Sequence, residues 1–194
     1  MIAGLILTAG ESRRMGRDKA LLTYHGQTFL ATIVGNLRAA GIENITVVLG
    51  HHQEAIQRAV NLAGMRVVIN QDYQQGQTSS LQAGLAAAAT DGPEAVMLCL
   101  VDHPAISSEV ISKLRERFES VRPPVLIPTY KGEHGHPVVI SRKLFPELVA
   151  LPPGAPANKI IRNYRDATDF LEVADPGILL DVDDPAAYER LEQN

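Results

Sequence analysis

Residues 3–22 have the sequence AGLILTAGESRRMGRDKALL, in which an apolar run passes directly into a loop with two glycines. The run is apolar without alternation, which is typical of a β-strand buried on both faces. The loop contains two acidic and four basic residues, the basic ones being Arg13, Arg14, Arg17 and Lys19. The stretch therefore predicts the first strand of a parallel sheet, followed by a positively charged loop.

Four further apolar runs resemble this first strand. They are NITVVLG at 44–50, MRVVIN at 65–70, AVMLCLVD at 95–102 and PPVLIPTY at 123–130. Amphipathic stretches separate them, such as residues 30–37, whose apolar side chains recur at helical spacing. Alternating strands and helices predict right-handed βαβ units, and hence an α/β fold with a mostly parallel central sheet and helices on both faces.

The regular alternation of predicted strands and helices ends after residue 128. HPVVI at 136–140 predicts a short strand, residues 141–150 predict a helix, and LPPGAP at 151–156 predicts a loop. We interpret this tail as completing the same sheet, so that residues 1–194 form a single domain with enough length for a sizeable core.

Composition restricts the partners and the location. The net charge of −4 argues against a general affinity for nucleic acid or anionic membranes. No apolar stretch reaches the length of a membrane span, and Cys99 is the only cysteine, which excludes an internal disulfide. We therefore expect a cytoplasmic protein that binds neither nucleic acid nor membrane.

Ligands of parallel sheets bind beyond the carboxyl ends of the strands, so the loops after the strands form the candidate site. These loops are residues 10–19, 50–52, 70–80 and 102–104. In the first, glycines 10 and 16 permit backbone conformations closed to other residues and can expose N–H groups to phosphate. Its spacing is neither G-x-G-x-x-G nor that of a P-loop. The residues alone leave open a nucleoside triphosphate site or a solvated turn with surface ion pairs.

Carboxylates in the other loops suggest a cation. Asp102 ends an apolar run, where a charge is costly unless it is paired or binds a cation. Mg²⁺ takes one or two carboxylates and fills its shell with phosphate oxygens and water. Asp181 and Asp183 near the end of the chain offer a second carboxylate, and Asp183 is favoured because it precedes the turn at Pro185. The alternative, N-capping of the last helix, is favoured for Asp184.

Polar residues at 70–80 extend the candidate site. Three hydroxyl residues at 78–80 stand at the predicted start of a helix, and at most one can cap it. We therefore expect Ser79 and Ser80, together with Gln71, to contact the ribose or the base.

The histidines give weaker signals. His134 and His136 are two residues apart, but Pro137 breaks the strand geometry that a metal pair would need. The pair at 51–52 is interpreted as the entry to a helix. His103 is interpreted as incidental.

The segment LTAGESRRMGRDKALL at 7–22 closely resembles the signature L-x-A-G-x-S-x-R-M-G-x-x-K of the molybdopterin nucleotidyltransferases, the MobA- and MocA-like enzymes. Further segments resemble the family in the same order: GQTSSLQAGL resembles G-M-x-S-S-L-x-x-G, LVDHP resembles L-V-D-x-P, GHPV is identical, and LLDVDDPAAYERL resembles D-x-D-T-P-E-D-x-x-x-L. The resemblance spans nearly the whole chain. It implies a Rossmann-like nucleotidyltransferase fold and transfer of a nucleoside monophosphate from a triphosphate.

The resemblance also implies roles for the residues that match the motifs. The first loop would bind the nucleotide through Thr8, Ala9, Gly10, Ser12, Arg13, Met15, Gly16 and Lys19. The catalytic residues would be Lys19 and Arg14, which hold phosphates, and Asp102. Mg²⁺ would be held by Asp102 and Asp183, and the acceptor by His136 and Asp181. A phosphate oxygen of the acceptor would attack the α-phosphate in line and release pyrophosphate.

Two features resemble the cytidylyl-transferring branch. The guanylyl branch has L-A-G-G in the first loop, whereas this chain has Ala9 at the third position and also has the Ser-Ser-Leu segment. The implied donor is CTP, and the implied acceptor is a phosphorylated small molecule such as molybdopterin. A transient contact with a molybdoenzyme or its maturation chaperone would follow.

Other features depart from the family pattern. Residues 151–162, LPPGAPANKIIR, replace a G-D-x-G-A-R-like stretch, although Asn158, Lys159 and Arg162 offer substitutes, and Asp184 stands where Thr is usual. A guanylyl- or sugar-phosphate nucleotidyltransferase of the same fold therefore remains an alternative. So does a non-catalytic nucleotide-binding regulatory module.

Overall fold

The computed structural model describes residues 1–12 and 14–193. The strands within them are β1 (Ile2–Leu7), β2 (Thr23–Tyr24), β3 (Gln27–Thr28), β4 (Ile45–Leu49), β5 (Arg66–Ile69), β6 (Ala95–Leu100), β7 (Val125–Tyr130), β8 (Glu133–His134), β9 (Val138–Ser141) and β10 (Thr168–Glu172). The α-helices are α1 (Phe29–Ala39), α2 (Gln53–Ala59), α3 (Gln77–Ala88), α4 (Ser108–Val121), α5 (Phe145–Val149), α6 (Asn158–Asn163) and α7 (Pro185–Glu192). Every predicted apolar run forms a strand, and α2 begins directly after the histidine pair at 51–52, as expected.

One large sheet organises the described residues. Its order is β10-β7-β9-β6-β1-β4-β5, with β8 paired to β7, while β2 and β3 form a separate hairpin. β1 pairs in parallel with β4 and β6, and β5 pairs in parallel with β4. The prediction of a mostly parallel central sheet is therefore confirmed.

The tail completes this sheet, as predicted, and adds an antiparallel element. β9 lies between β6 and β7 and is antiparallel to both. β10 extends the sheet at its edge, in parallel with β7. The sequence analysis did not predict β10, because only two of the five residues in TDFLE are apolar. The predicted helix over 141–150 is a 3-10 turn at Arg142–Leu144 followed by α5.

Helices pack on both faces of the sheet, as predicted. Along β1, Ile2 and Ile6 face a core shared with α1, α2 and α4, whereas Ala3 and Leu5 face a second core with α3 and α5. Both faces of a central strand are thus buried, which is why its sequence does not alternate. No helix in the described part of the chain is both long enough and apolar enough to cross a membrane.

A glycine brings α3 close to the sheet. A Cβ on Gly84 would lie 2.5 Å from Leu5 Cδ1 and 2.8 Å from Val48 Cγ2, so the helix could not pack at this distance with a larger residue. The helix therefore lies directly on β1 and β4, and its first turn reaches the carboxyl edge of the sheet.

Candidate active site

A cavity of about 320 Å³ opens at the carboxyl edge, where the loops after β1 and β6 meet. The residues predicted from the sequence that line it are Thr8, Ala9, Gly10, Ser12, Arg14, Lys19, Ser80, Asp102 and Asp183. Its wall also contains Asp18, Tyr73 and Gln77, which the sequence analysis did not propose. The fold thus gathers the first loop, the start of α3 and two distant carboxylates around one space.

Four side chains form a network of ion pairs that we call the charged end: Arg14, Lys19, Asp102 and Asp183. Lys19 Nζ donates to Asp183 Oδ1 at 2.6 Å and to Asp102 Oδ2 at 3.2 Å. Arg14 Nη2 donates to Asp183 Oδ2 at 2.6 Å. The hydrogen bond from Lys19, reinforced by Arg14, holds the pKa of the Asp183 carboxyl below its usual value, so this group is ionised at neutral pH.

Bonds within the first loop position Lys19. Ser12 has a φ of 51°, which is uncommon for a residue other than glycine, and its Oγ accepts from the Lys19 N–H at 3.2 Å. Asp18 Oδ1 accepts from the Ala20 N–H at 3.0 Å and caps the 3-10 turn that begins at Lys19. The Lys19 side chain is only 11% exposed, so a solvated turn does not describe it.

Other predicted residues of this loop have different surroundings. Gly16 has a φ of 68°, a conformation that favours glycine, whereas Gly10 does not use the freedom that the sequence offers at this position. The Met15 side chain packs in a buried apolar cluster with Phe29 and is not in the cavity wall. Arg13 lies outside the described residues.

A backbone hydrogen bond attaches the end of the chain to the loop after β6. The Val182 N–H donates to the Asp102 carbonyl at 2.8 Å, and the Val182 side chain is buried. This bond places Asp183 opposite Lys19. Asp181 is exposed and does not line the cavity.

The charged end suits a divalent cation such as Mg²⁺. No group of three or more histidine, cysteine or acidic side chains in the described residues could hold a metal. Mg²⁺ does not need such a group, because phosphate oxygens and water complete its shell around one or two carboxylates. Asp102 Oδ1 is buried and has no hydrogen-bond partner within the described part of the chain. Asp102 and Asp183 are therefore the residues that fit the cation.

Asn70, Ser79 and Ser80 form a second polar group, which we call the hydroxyl end. Asn70 Nδ2 donates to Ser79 Oγ and to Ser80 Oγ at 2.9 Å each. The Ser79 hydroxyl in turn donates to carbonyls of the preceding loop, residues 72–76. The α3 helix begins without a side-chain cap, so the N-cap interpretation of residues 78–80 is wrong. Ser80 lines the cavity, whereas Ser79 does not line it and is hydrogen-bonded to the loop at residues 72–76.

Between the two ends, the cavity wall is tightly packed. A Cβ on Gly50 would lie 2.9 Å from the Ala9 Cβ and 2.8 Å from the Tyr73 Cβ, so the absence of a side chain at Gly50 lets these residues approach. His51 Nδ1 lies 3.3 Å from the Tyr73 hydroxyl. Gln71 is exposed and does not line the cavity. The sequence analysis could have identified Tyr73 as a cavity residue, because it is an aromatic residue inside a loop that was predicted to contact the ligand.

Two histidines pack against the charged end. The rings of His103 and His136 lie 4.7 Å apart, and His103 Nε2 is 3.9 Å from Asp102 Oδ1. Burial lowers the pKa of His136 to about 4, and burial also lowers the pKa of His103, so both are neutral at pH 7. His103, to which the sequence analysis assigned no role, thus lies beside Asp102. His134 is exposed and stacks on Phe170, apart from this pair.

The departures from the family motifs have simple structural outcomes. Asp184 Oδ1 accepts from the Ala187 N–H at 2.8 Å and caps α7, as expected. Asn158, Lys159 and Arg162 lie in α6, are exposed, and do not line the cavity. The proposed substitutes for the missing motif thus do not form part of the cavity wall.

These features define a nucleotidyltransferase-type site, and comparison with known proteins agrees. The model of a protein family described as "MobA-like NTP transferase domain" matches residues 4–168 of this chain. The chain belongs to this family and is a nucleotidyltransferase of the MobA-like kind.

Three curated relatives illustrate how the family varies. Nicotine blue oxidoreductase of Paenarthrobacter nicotinovorans is 31% identical over 98% of this chain and 96% of its own length. A probable molybdenum cofactor guanylyltransferase of Opitutus terrae is 39% identical over 59% of this chain and 54% of its own length. Molybdenum cofactor cytidylyltransferase of Escherichia coli K12 is 26% identical over 93% and 90%.

The fold is shared with a solved protein over its whole length. Rv0371c from Mycobacterium tuberculosis H37Rv superposes with a TM-score of 0.89 and 29% identity, covering 100% of this chain and 97% of that one. A second structure of Rv0371c is a complex with manganese and has a TM-score of 0.80 and 26% identity, covering 100% of this chain and 98% of that one. The predicted Rossmann-like nucleotidyltransferase fold is therefore confirmed.

Proposed function

We propose that this protein transfers CMP from CTP to a phosphorylated acceptor of the molybdopterin type, with Mg²⁺, and releases pyrophosphate. The observation that carries the proposal is the charged end, where Lys19 lies between Asp102 and Asp183 inside the cavity. Such a set can neutralise phosphate charge and hold a cation. The same proposal includes a cytoplasmic location and a transient contact with a protein that receives the product.

The chain's residues supply position and charge rather than a covalent group. A phosphate oxygen of the acceptor attacks the α-phosphorus, the bond to the β-phosphate breaks, and pyrophosphate takes the electron pair. Lys19 and Arg14 are the cations placed to hold phosphate oxygens in line for this attack. Asp102 and Asp183 would hold Mg²⁺, which spreads the developing charge when it is bound. His136 and Asp181 are proposed on the acceptor side.

The preference for CTP rests on Ala9. Its side chain lies in the packed wall beside Gly50, and we infer that a base bound against this wall has less room as a purine than as a pyrimidine. One methyl group in a tight pocket changes affinity by about ten- to two-hundredfold. Relatives named for guanylyl and for cytidylyl transfer both match the chain, which makes the donor the first point to test.

A binding panel with CTP, GTP, ATP and UTP at matched Mg²⁺ tests the donor. We expect CTP to bind at least about tenfold more tightly than GTP, and Ala9→Gly to narrow this gap by improving GTP binding, because the missing methyl group leaves room for a purine. Gly35→Ala, a substitution on the exposed surface of a helix with open space around it, is the control for a change of stability that is unrelated to the cavity. GTP binding equal to or tighter than CTP binding would contradict the cytidylyl proposal.

Pyrophosphate release with phosphorylated pterin acceptors tests turnover. Release that depends on acceptor, CTP and Mg²⁺ together is the expected result. Nucleotide binding without release for any acceptor would instead support the regulatory module. The presence of Lys19, Asp102 and Asp183 in one network favours the enzyme.

A redox activity is the second candidate, because the Paenarthrobacter relative is named an oxidoreductase and aligns with nearly the whole chain. The one cysteine does not support a thiol mechanism, since Cys99 is buried and burial raises its pKa to about 12. Adding NADH, NADPH and FMN to the binding panel tests this candidate. Tight binding of any of them, with no response to CTP, would favour it.

A further inference from the structure

The ammonium of Lys19 already holds the two carboxylates that suit a divalent cation. Its Nζ lies 2.6 Å from Asp183 Oδ1 and 3.2 Å from Asp102 Oδ2, so it uses one oxygen of each group. A metal ion bound by these carboxylates would compete with the ammonium for their oxygens and would be repelled by its charge at short range. The resting protein thus contains its own cation at the charged end.

We propose that Lys19 is a resident cation that must leave Asp102 and Asp183 before a divalent metal binds, and that the triphosphate is what draws it away. Metal and nucleotide then bind together rather than independently. This inference rests on the proposed function, because it takes the triphosphate as the second partner of the ammonium.

The surroundings of Lys19 allow the ammonium to move while its backbone stays in place. Ser12 Oγ holds the Lys19 N–H, and Asp18 caps the turn that begins there. The four-carbon stem of lysine is flexible and carries a compact charge. The cavity that would take the phosphates lies directly beside the carboxylates, so the ammonium can change partners by rotation of its stem.

Arg14 keeps one of the two carboxylates paired while the ammonium changes partners. It donates to Asp183 Oδ2, the oxygen that Lys19 does not use, and its own side chain is 73% exposed. When the ammonium leaves, Asp183 keeps a cationic partner. Because linkage is reciprocal, a nucleotide that attracts the ammonium raises the affinity for metal, and the metal raises the affinity for nucleotide by the same factor.

Mn²⁺ binding without nucleotide tests the proposal by a readout other than activity. The free Mn²⁺ signal in electron paramagnetic resonance gives the dissociation constant for the wild type, Lys19→Met and Arg17→Met. Arg17 is an exposed cation of the same loop, and its variant is the matched control for lost charge. We expect Lys19→Met to bind Mn²⁺ at least about tenfold more tightly than wild type, and Arg17→Met to change affinity less than twofold.

Adding Asp102→Asn to Lys19→Met should abolish the gain, which assigns the Mn²⁺ to this site. Lys19→Met binding that is equal to or weaker than that of wild type would overturn the proposal. A gain that survives Asp102→Asn would overturn it as well.

The wild-type protein allows a second measurement that needs no folded variant. Acylation of the Lys19 amine is followed by peptide mass spectrometry while Mn²⁺ fills the site, with Lys113 as the internal control, since it pairs with Glu109 on α4. We expect the Lys19 rate to rise with occupancy and the Lys113 rate to stay constant. A Lys19 rate that stays constant as the site fills would show that ammonium and metal coexist, and the proposal would be wrong.

These outcomes are separate from those that test the proposed function. Tighter Mn²⁺ binding by Lys19→Met without any CTP-dependent turnover would keep the exchange and reject the transfer reaction. Turnover with unchanged Mn²⁺ binding would do the reverse.

Discussion

The charged end and the hydroxyl end flank the same stretch of the sheet edge but are built on different principles. In the sheet, β6 and β5 lie on opposite sides of β1, and Asp102 follows the first while Asn70 follows the second. At the charged end, ion pairs join the mostly buried Lys19 and the exposed Arg14 to partly buried carboxylates, and an oxygen of Asp102 has no partner among the described residues. At the hydroxyl end, Asn70 is 6% exposed. Its amide nitrogen donates to Ser79 and Ser80, and its amide oxygen accepts from the Asp72 N–H.

This difference separates groups that can change partners from groups that cannot. Ion pairs near the surface contribute little to stability, about 0–1 kcal/mol. Such pairs within the protein can therefore be replaced by ion pairs with a ligand at a small cost in free energy. A buried amide that loses its partners costs about 1–3 kcal/mol. We therefore expect mutations at the charged end to reduce activity and those at the hydroxyl end to reduce stability.

The largest effect is expected for Asp102→Asn. The amide fills the same space but brings no charge to a cation, so the rate of transfer should fall by about 10² or more. The free energy of unfolding should change by less than about 1 kcal/mol, because the lost ion pair with Lys19 is partly exposed. Steady-state pyrophosphate release and urea unfolding measure the two quantities. A rate within threefold of wild type would remove Asp102 from the metal site.

Asn70→Ala should show the opposite pattern. It removes the donor to Ser79 and Ser80 and leaves a buried gap, so the free energy of unfolding should fall by about 1–3 kcal/mol. Activity measured well below the unfolding temperature should fall less than it does in Asp102→Asn. Urea unfolding checks the first point.

Gln71→Ala, the exposed neighbour, is the matched control and should leave stability within about 0.5 kcal/mol. Equal stability of Asn70→Ala and wild type would mean that the hydroxyl end does not hold the loop. A loss of CTP affinity in Gln71→Ala would support the prediction that Gln71 contacts the nucleotide.

The smallest effect is a pH dependence that comes from His136, beside the charged end. Its pKa is lowered to about 4 by burial, whereas an unfolded histidine titrates near 6.5. Between these values the unfolded chain binds more protons than the folded one, so stability falls as the pH drops from about 6.5 towards 4. His136→Gln should lose less stability than wild type between pH 7 and pH 5, as measured by urea unfolding.

His134→Gln is the control, because His134 is exposed and lies only two residues away. It should follow the wild-type pH dependence. If His136→Gln also follows it, the imidazole does not contribute, and the remaining acid sensitivity belongs to other groups such as His103.

Much of the fold could be predicted from local patterns. The central strands are predominantly apolar because both of their faces are buried, and the apolar residues of the helices between them recur at helical spacing. The sequence therefore predicts β1, β4, β6 and β7 individually. It does not predict the edge strand β10, because a strand with one exposed side needs fewer apolar residues. The loops at the carboxyl edge followed from the fold class alone.

The fold class and the chemistry of the first loop and of Asp102 follow from residues that are neighbours in the chain. Which of these groups come into contact depends on the tertiary structure. Lys19 and Asp183 are 164 positions apart and touch because β6 lies beside β1 and because the Val182 N–H bonds the Asp102 carbonyl. A hydrogen bond between such distant groups follows from strand order and loop closure, which no local pattern of residues records.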